Sequence, residues 1–120
     1  MNILILDDTR AVREMLALFC ARHGAHNTNT ASSIKEAQAI LENFSPDVVF
    51  SDYHLPDGKG ISIFGLVRER NPRSYIILSS AGLGADEGLR MALEHGADVF
   101  FPKTRLPGVI RTILNGRIRL

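Results

Sequence analysis

The chain has one cysteine, almost no net charge, no apolar run long enough to cross a bilayer and no low-complexity stretch. Each shortage removes a class. A single Cys20 cannot form an internal disulfide, and its place in a helical apolar pattern fits a small buried hydrophobe in a reducing compartment. A net charge of +1 creates no strong field to gather nucleic acid or an anionic membrane. The N-terminus lacks a basic region, and its run Ile3-Leu4-Ile5-Leu6 stops at two aspartates, too short for a signal peptide or a membrane span. A cytoplasmic protein is expected. His23, His26, His54 and His95 are scattered without metal-ligand spacing. With no internal repeat and no linker, residues 1–120 are expected to form one domain. That length suffices to bury roughly two-thirds of the unfolded surface.

What is present is an alternation of apolar runs and amphipathic stretches. Ile3 to Leu6 read as a buried strand, with Asp7 and Asp8 at its carboxyl end. Thr9 to Arg22 carry apolar residues at helical spacing, with Gly24 as the stop. Ala25 to Thr30 make a polar strand suited to a sheet edge. Ser33 and Glu36 have capping-box spacing and open a helix with Ile34, Ala37, Ile40, Leu41 and Phe44 on one side. Asp47 to Asp52 form the central strand, in which Val48-Val49-Phe50 give way to a Pro56-Asp57-Gly58 turn. A helix from Gly60 is broken at Asn71-Pro72, and a strand runs from Ser74 to Ser79 or Ser80. A fourth helix holds Ala85, Leu89, Ala92 and Leu93 and closes at Gly96. Val99-Phe100-Phe101 is the fifth strand, and Pro107-Gly108 opens a short last helix ending near Gly116.

Strand and helix alternating five times imply a parallel sheet covered on both faces by right-handed crossovers. Pro102 suits an edge strand, and the polar second strand suits the opposite edge. An order of 2-1-3-4-5 satisfies both, giving a doubly wound, flavodoxin-like α/β three-layer sandwich with its crevice between strands one and three. There Asp7, Asp8 and Asp52 converge. Three neighbouring carboxylates raise one another's pKa, and a hard divalent ion with oxygen ligands relieves the repulsion. Ser79-Ser80 and Lys103 end strands four and five on the same side, and a buried lysine needs an anionic partner. Together these groups make a phosphoryl-handling site, with Asp52 as the nucleophile that forms an acyl phosphate.

These residues resemble the receiver domain of two-component response regulators. Asp7-Asp8 match the acidic pair after strand one. Asp52-Tyr53-His54-Leu55-Pro56-Asp57-Gly58-Lys59-Gly60 is similar to the family's Asp-x-x-Met/Leu-Pro-x-x-x-Gly, Ser80-Ala81 to its Thr/Ser-Ala, and Gly96-Ala97-Asp98 with Lys103 to the stretch carrying its lysine. The resemblance implies that Asp52 is the phosphoacceptor and that Asp8 ligates Mg²⁺ (or Mn²⁺) directly. It also implies that Asp7 acts through a metal-bound water and that the backbone carbonyl of His54 completes the protein ligands. Ser80 would hydrogen-bond the phosphoryl group, Lys103 would pair with it, and Phe100 takes the aromatic switch position. The implied donor is a sensor histidine kinase or phosphotransfer protein, and the implied output is an effector protein or a fused output domain. The domain would be a monomer or a weak phosphorylation-dependent dimer, contacting neither nucleic acid nor membrane, and would promote its own phosphorylation and dephosphorylation rather than act as an enzyme on other substrates.

The pattern departs from the family in places. Ser79 and Ser80 are both hydroxyls, and their spacing to Lys103 is one residue longer than usual. Pro102 precedes Lys103 where the family has Lys-Pro with a cis bond. A cis Lys103-Thr104 bond without proline would cost about 3–4 kcal/mol, so a differently shaped loop is expected. Phe100 lacks a tyrosine hydroxyl, leaving packing alone to hold it. Gly82-Leu83-Gly84 reads as a loop able to move when Ser80 engages phosphate, and Arg105, Arg111, Arg117 and Arg119 as a solvated basic face. Two other functions compete. A haloacid dehalogenase-type phosphatase also uses an aspartate nucleophile with Mg²⁺, but wants Asp-x-Asp where this chain has adjacent acids. A phosphate-independent interaction module would not need Asp8, Asp52 and Lys103 intact.

Overall fold

The computed structural model describes residues 1–24, 27–105, 108 and 112. Strands and helices alternate along them: β1 (Asn2–Leu6), α1 (Arg10–Arg22), β2 (Asn27–Ala31), α2 (Ile34–Leu41), β3 (Val48–Asp52), α3 (Phe64–Arg70), β4 (Tyr75–Ser80), α4 (Ala85–Glu94) and β5 (Val99–Pro102). The strands form one parallel sheet in the expected order β2-β1-β3-β4-β5. Between β3 and α3 the chain makes a short antiparallel hairpin, His54–Leu55 against Gly58–Lys59, followed by a 3₁₀ turn at Gly60–Ile63.

Alternation along the strands builds two cores. Leu4, Leu6, Val49, Ile76, Leu78 and Phe100 face one side, where α2, α3 and α4 cover them with Ile34, Leu41, Phe64, Val67 and Ala92. Ile3, Ile5, Val48, Phe50 and Ile77 face the other, against Leu16 and Cys20 of α1. Every residue of β3 is buried, because helices cover both faces of the central strand. Burial pushes the Cys20 thiol up to about 11, so it stays protonated and acts as a packing group.

The elements differ from expectation mainly at their ends. Strand β2 covers Asn27–Ala31, while Ala25 and His26 lie outside the described residues. The polar sequence Asn-Thr-Asn-Thr suits its edge position. Helix α2 stops at Leu41, and Phe44 reaches the core from the following loop. Ser33 Oγ accepts from Glu36 N (3.1 Å), as the capping-box spacing predicts. The Glu36 carboxylate, however, takes both N–H and hydroxyl of Ser32 instead of closing onto Ser33. Gly24 and Gly96 follow α1 and α4 with φ of 86° and 89°, the left-handed geometry that ends a helix. Pro102 is the last residue of β5, on the sheet edge where its missing N–H costs no ladder bond. The expected last helix lies outside the described residues except for Gly108 and Thr112, both helical. No described helix is long and apolar enough to cross a membrane.

Candidate functional site

The parallel sheet sends the carboxyl ends of β1, β3, β4 and β5 to one edge, and the chemistry-bearing residues stand there. By strand alternation Asp52 and Ser79 lie on the side of Phe50 and Ile77, and Ser80 on the side of Leu78 and Phe100, while Asp7 and Lys103 follow directly on the ends of β1 and β5. Lys103 Nζ lies 3.0 Å from Asp7 Oδ2 and 3.0 Å from Asp52 Oδ2, joining β1, β3 and β5 through one ammonium group. Asp7 and Asp52 are almost fully buried, whereas Asp8 is exposed. The other Asp7 oxygen, Oδ1, accepts from Thr9 N at 2.8 Å, and its carbonyl accepts from Arg13 Nη1 at 2.9 Å. Asp7 is thus held on both sides, while Asp8 makes no such anchoring contact among the described residues and is exposed.

These contacts set the electrostatics. Burial raises the Asp52 carboxyl above its ordinary value; the Lys103 hydrogen bond opposes this, and the charge of Asp7 reinforces it. Burial also works against the charged Lys103 amine, but its hydrogen bonds to Asp7 and Asp52 outweigh that effect and raise it. One carboxylate oxygen from each of Asp7, Asp8 and Asp52 lies within 4.8 Å of the others. One lysine against three acids leaves a surplus of negative charge and an all-oxygen donor set, open on the Asp8 side. Such a site fits a hard divalent cation such as Mg²⁺, which uses few carboxylates and keeps waters.

The remaining expected residues stand around this centre. The hydroxyl of Ser80 accepts from Gly82 N at 3.1 Å, tying it to the β4–α4 loop. Ser79 is the residue paired with Asp52 in the β3–β4 register, and its carbonyl accepts from Tyr53 N at 2.9 Å. Phe100 is buried beneath α4, its ring directly against Gly88. The backbone of His54 lies in the hairpin after Asp52. Its ring turns outward, with Nδ1 2.9 Å from Lys59 Nζ, and stacks edge-on with Tyr53. None of the described peptide bonds is cis, and Lys103 instead opens a 3₁₀ turn, Lys103–Arg105, the different loop shape expected where proline does not follow the lysine. Two contributors escaped the sequence reading. Arg13 carries no signal beyond its place on the polar side of α1. Asp57 was legible only as a turn former, although its carboxylate reaches Ile34 N (2.9 Å) and Lys35 N (3.0 Å) at the start of α2.

Fold and site together define a doubly wound α/β protein equipped to hold a hard cation beside a buried carboxylate and a lysine. Residues 3–115 match the response regulator receiver domain, and the chain belongs to that family. It is therefore a phosphoacceptor signalling switch of the two-component kind, and the phosphatase alternative is not favoured. The response regulator protein PilR of Pseudomonas aeruginosa is 30% identical over 117 residues, a match covering 98% of this chain and 26% of PilR. The chain thus spans about a quarter of that relative's length. Among solved structures, the BeF3-activated DrrB receiver domain superposes with a TM-score of 0.83 at 22% identity, covering 96% of this chain and 94% of the other. The chemotaxis response regulator CheY4 of Vibrio cholerae gives 0.82 at 21%, covering 98% of each chain. At such identities the structural matches establish the fold alone.

Proposed function

We propose that the domain accepts a phosphoryl group on Asp52 and passes the resulting change of shape to a protein partner. The observation that carries this is the shared ion pair, in which Lys103 spans Asp7 and Asp52 at 3.0 Å each. A buried carboxylate and a positive charge sharing one small volume support a nucleophilic role for Asp52. An Asp52 oxygen attacks phosphorus in line. The new O–P bond forms as the donor's bond to phosphorus breaks, and the leaving electron pair stays on the donor atom, a histidine nitrogen of a sensor kinase or phosphotransfer protein. Lys103 pairs with the arriving phosphoryl oxygens, exchanging part of its contact with Asp52 for them. Asp8 and Asp52 would hold Mg²⁺ directly, Asp7 through a water and His54 through its backbone carbonyl. Bound there, the cation would offset the charge on the transferred oxygens.

The switch follows from the same edge of the sheet. Ser80 leaves Gly82 N to hydrogen-bond the phosphoryl group, and the β4–α4 loop moves with it. Phe100, on the same face as Ser80, responds through packing against α4. The two states need differ by only a few kcal/mol for phosphoryl contacts to redistribute them. The domain acts within the cytoplasm as one unit over residues 1–120 and regulates an effector protein or fused output domain rather than turning over a substrate of its own.

Incubation with acetyl phosphate and Mg²⁺ followed by intact-mass measurement tests the proposal. A single phosphoryl adduct, absent in Asp52→Asn and in EDTA, is the expected result. Steady hydrolysis of phosphate esters without an adduct, or no reaction at all, would overturn it.

A further inference from the structure

We propose that Asp57 is a positioning residue for the cation site, pinning the hairpin that carries the His54 carbonyl to the start of α2. This rests on the metal reading of the site given above.

The hairpin His54–Leu55/Gly58–Lys59 has two residues per arm, far too few to hold its own shape. At its base it is well anchored, because Tyr53 N donates to Ser79 O (2.9 Å) and Gly60 N donates to Tyr53 O (2.8 Å). At its tip a two-residue loop, Pro56-Asp57, projects into solvent, where a polar side chain would ordinarily meet only water. Asp57 instead reaches back 23 and 22 residues. Its Oδ1 accepts from Ile34 N and its Oδ2 from Lys35 N, at 2.9 and 3.0 Å. Both donors are first-turn amides with no partner inside the helix, at the end where the helix dipole favours an anion. The two bonds hold the Asp57 carboxyl below its ordinary value. Beside them, Gly58 sits at φ 149°, and a Cβ there would stand 2.9 Å from Ile34 Cδ1. Leu55 is buried in the same core as Ile34.

Helix α2 already has its own cap in Ser33, whose hydroxyl takes Glu36 N. Asp57 takes the Ile34 and Lys35 amides that this cap leaves open, and in doing so ties the hairpin to the helix. What it fixes is the far end of a lever whose near end is Asp52 and whose middle is His54. A cation that takes a backbone carbonyl from this lever reads its position directly, and groups that hold metal ligands in place commonly alter affinity by 10–100-fold.

The test uses the whole chain and Mg²⁺ itself, by calorimetric titration and thermal melting. Asp57→Ala and Ser33→Ala each remove one cap from the same helix end and should lower the melting temperature similarly. Only Asp57→Ala should weaken Mg²⁺ binding, by about tenfold, and its slow adduct formation at low Mg²⁺ should recover at saturating Mg²⁺. Asp57→Asn, which keeps one acceptor, should fall between, and it serves if the alanine variant fails to fold. Equal Mg²⁺ affinity in wild type and the Asp57 variants would reduce Asp57 to a helix cap and overturn the inference. Absence of Mg²⁺ binding in the wild type would overturn the metal reading of the site together with it.

Discussion

Lys103 Nζ stands 3.0 Å from Asp52 Oδ2 and equally close to Asp7, so one partly exposed ammonium serves two almost fully buried carboxylates. That shared contact leaves Asp52 under-compensated, and its carboxyl is raised above the ordinary value, chiefly by burial.

A raised acid makes the folded state bind its proton more tightly than the unfolded state. Stability is therefore lost as pH rises from the unfolded value, about 3.9, through the higher folded one. Above that range the loss stands, and Asp52→Asn removes it. Without divalent cation Asp52→Asn should melt above the wild type at pH 7, and the gap should close at pH 3. Urea melts across that range check it; a variant less stable at pH 7 would contradict the raised value.

Mg²⁺ should reverse the order. Binding only the folded wild type at 100 times its Kd stabilises by about 2.7 kcal/mol, and EDTA should abolish the gain. Asp8→Asn should lose most of this Mg²⁺ effect. Asp8 is exposed, and its replacement in the absence of metal should change stability by no more than about 0.5 kcal/mol. Melting curves with and without Mg²⁺ separate the two effects.

Gly88 lies against the Phe100 ring with no room for a Cβ. Gly88→Ala should destabilise by about 1–3 kcal/mol despite the better helix propensity of alanine, because the ring must move. Phe100→Leu should absorb most of that cost. A double-mutant cycle in urea should therefore show strong non-additivity; additive effects would mean the ring is free to leave without consequence.

Ser79 and Ser80 point to opposite faces, and only Ser80 shares the side of Phe100. Ser80→Ala frees the Gly82 amide and should uncouple adduct formation from the change around α4, seen as lost amide shifts in α4 on phosphorylation. Ser79→Ala, whose backbone carbonyl still accepts from Tyr53 N, should leave those shifts in place. The reverse result would make Ser79 the switch hydroxyl.

Much of this site was legible along the chain because parallel sheets obey short-range rules. Apolar runs of three or four residues leading into Asp, Ser or Lys place those groups at strand ends, and alternation with helices places all the strand ends on one edge. Asp7, Asp8, Asp52 and Lys103 could be gathered from that alone. Strand and helix limits were less legible. Phe44 continues the apolar spacing of α2, yet α2 ends at Leu41, since burial of Phe44 from the loop satisfies the core equally well.

The order of strands, the acidic edge and the family are all written along the chain, for they rest on local patterns and on which residues follow one another. Which oxygen meets which proton was decided only by the tertiary structure. Lys103 bridging Asp7 and Asp52, Phe100 filling the space over Gly88 and Asp57 reaching back to Ile34 join residues 12 to 96 positions apart. No periodicity encodes such contacts. They arise because close packing leaves each buried polar group very few partners within about 3 Å, and the packing exists only once all the layers have come together.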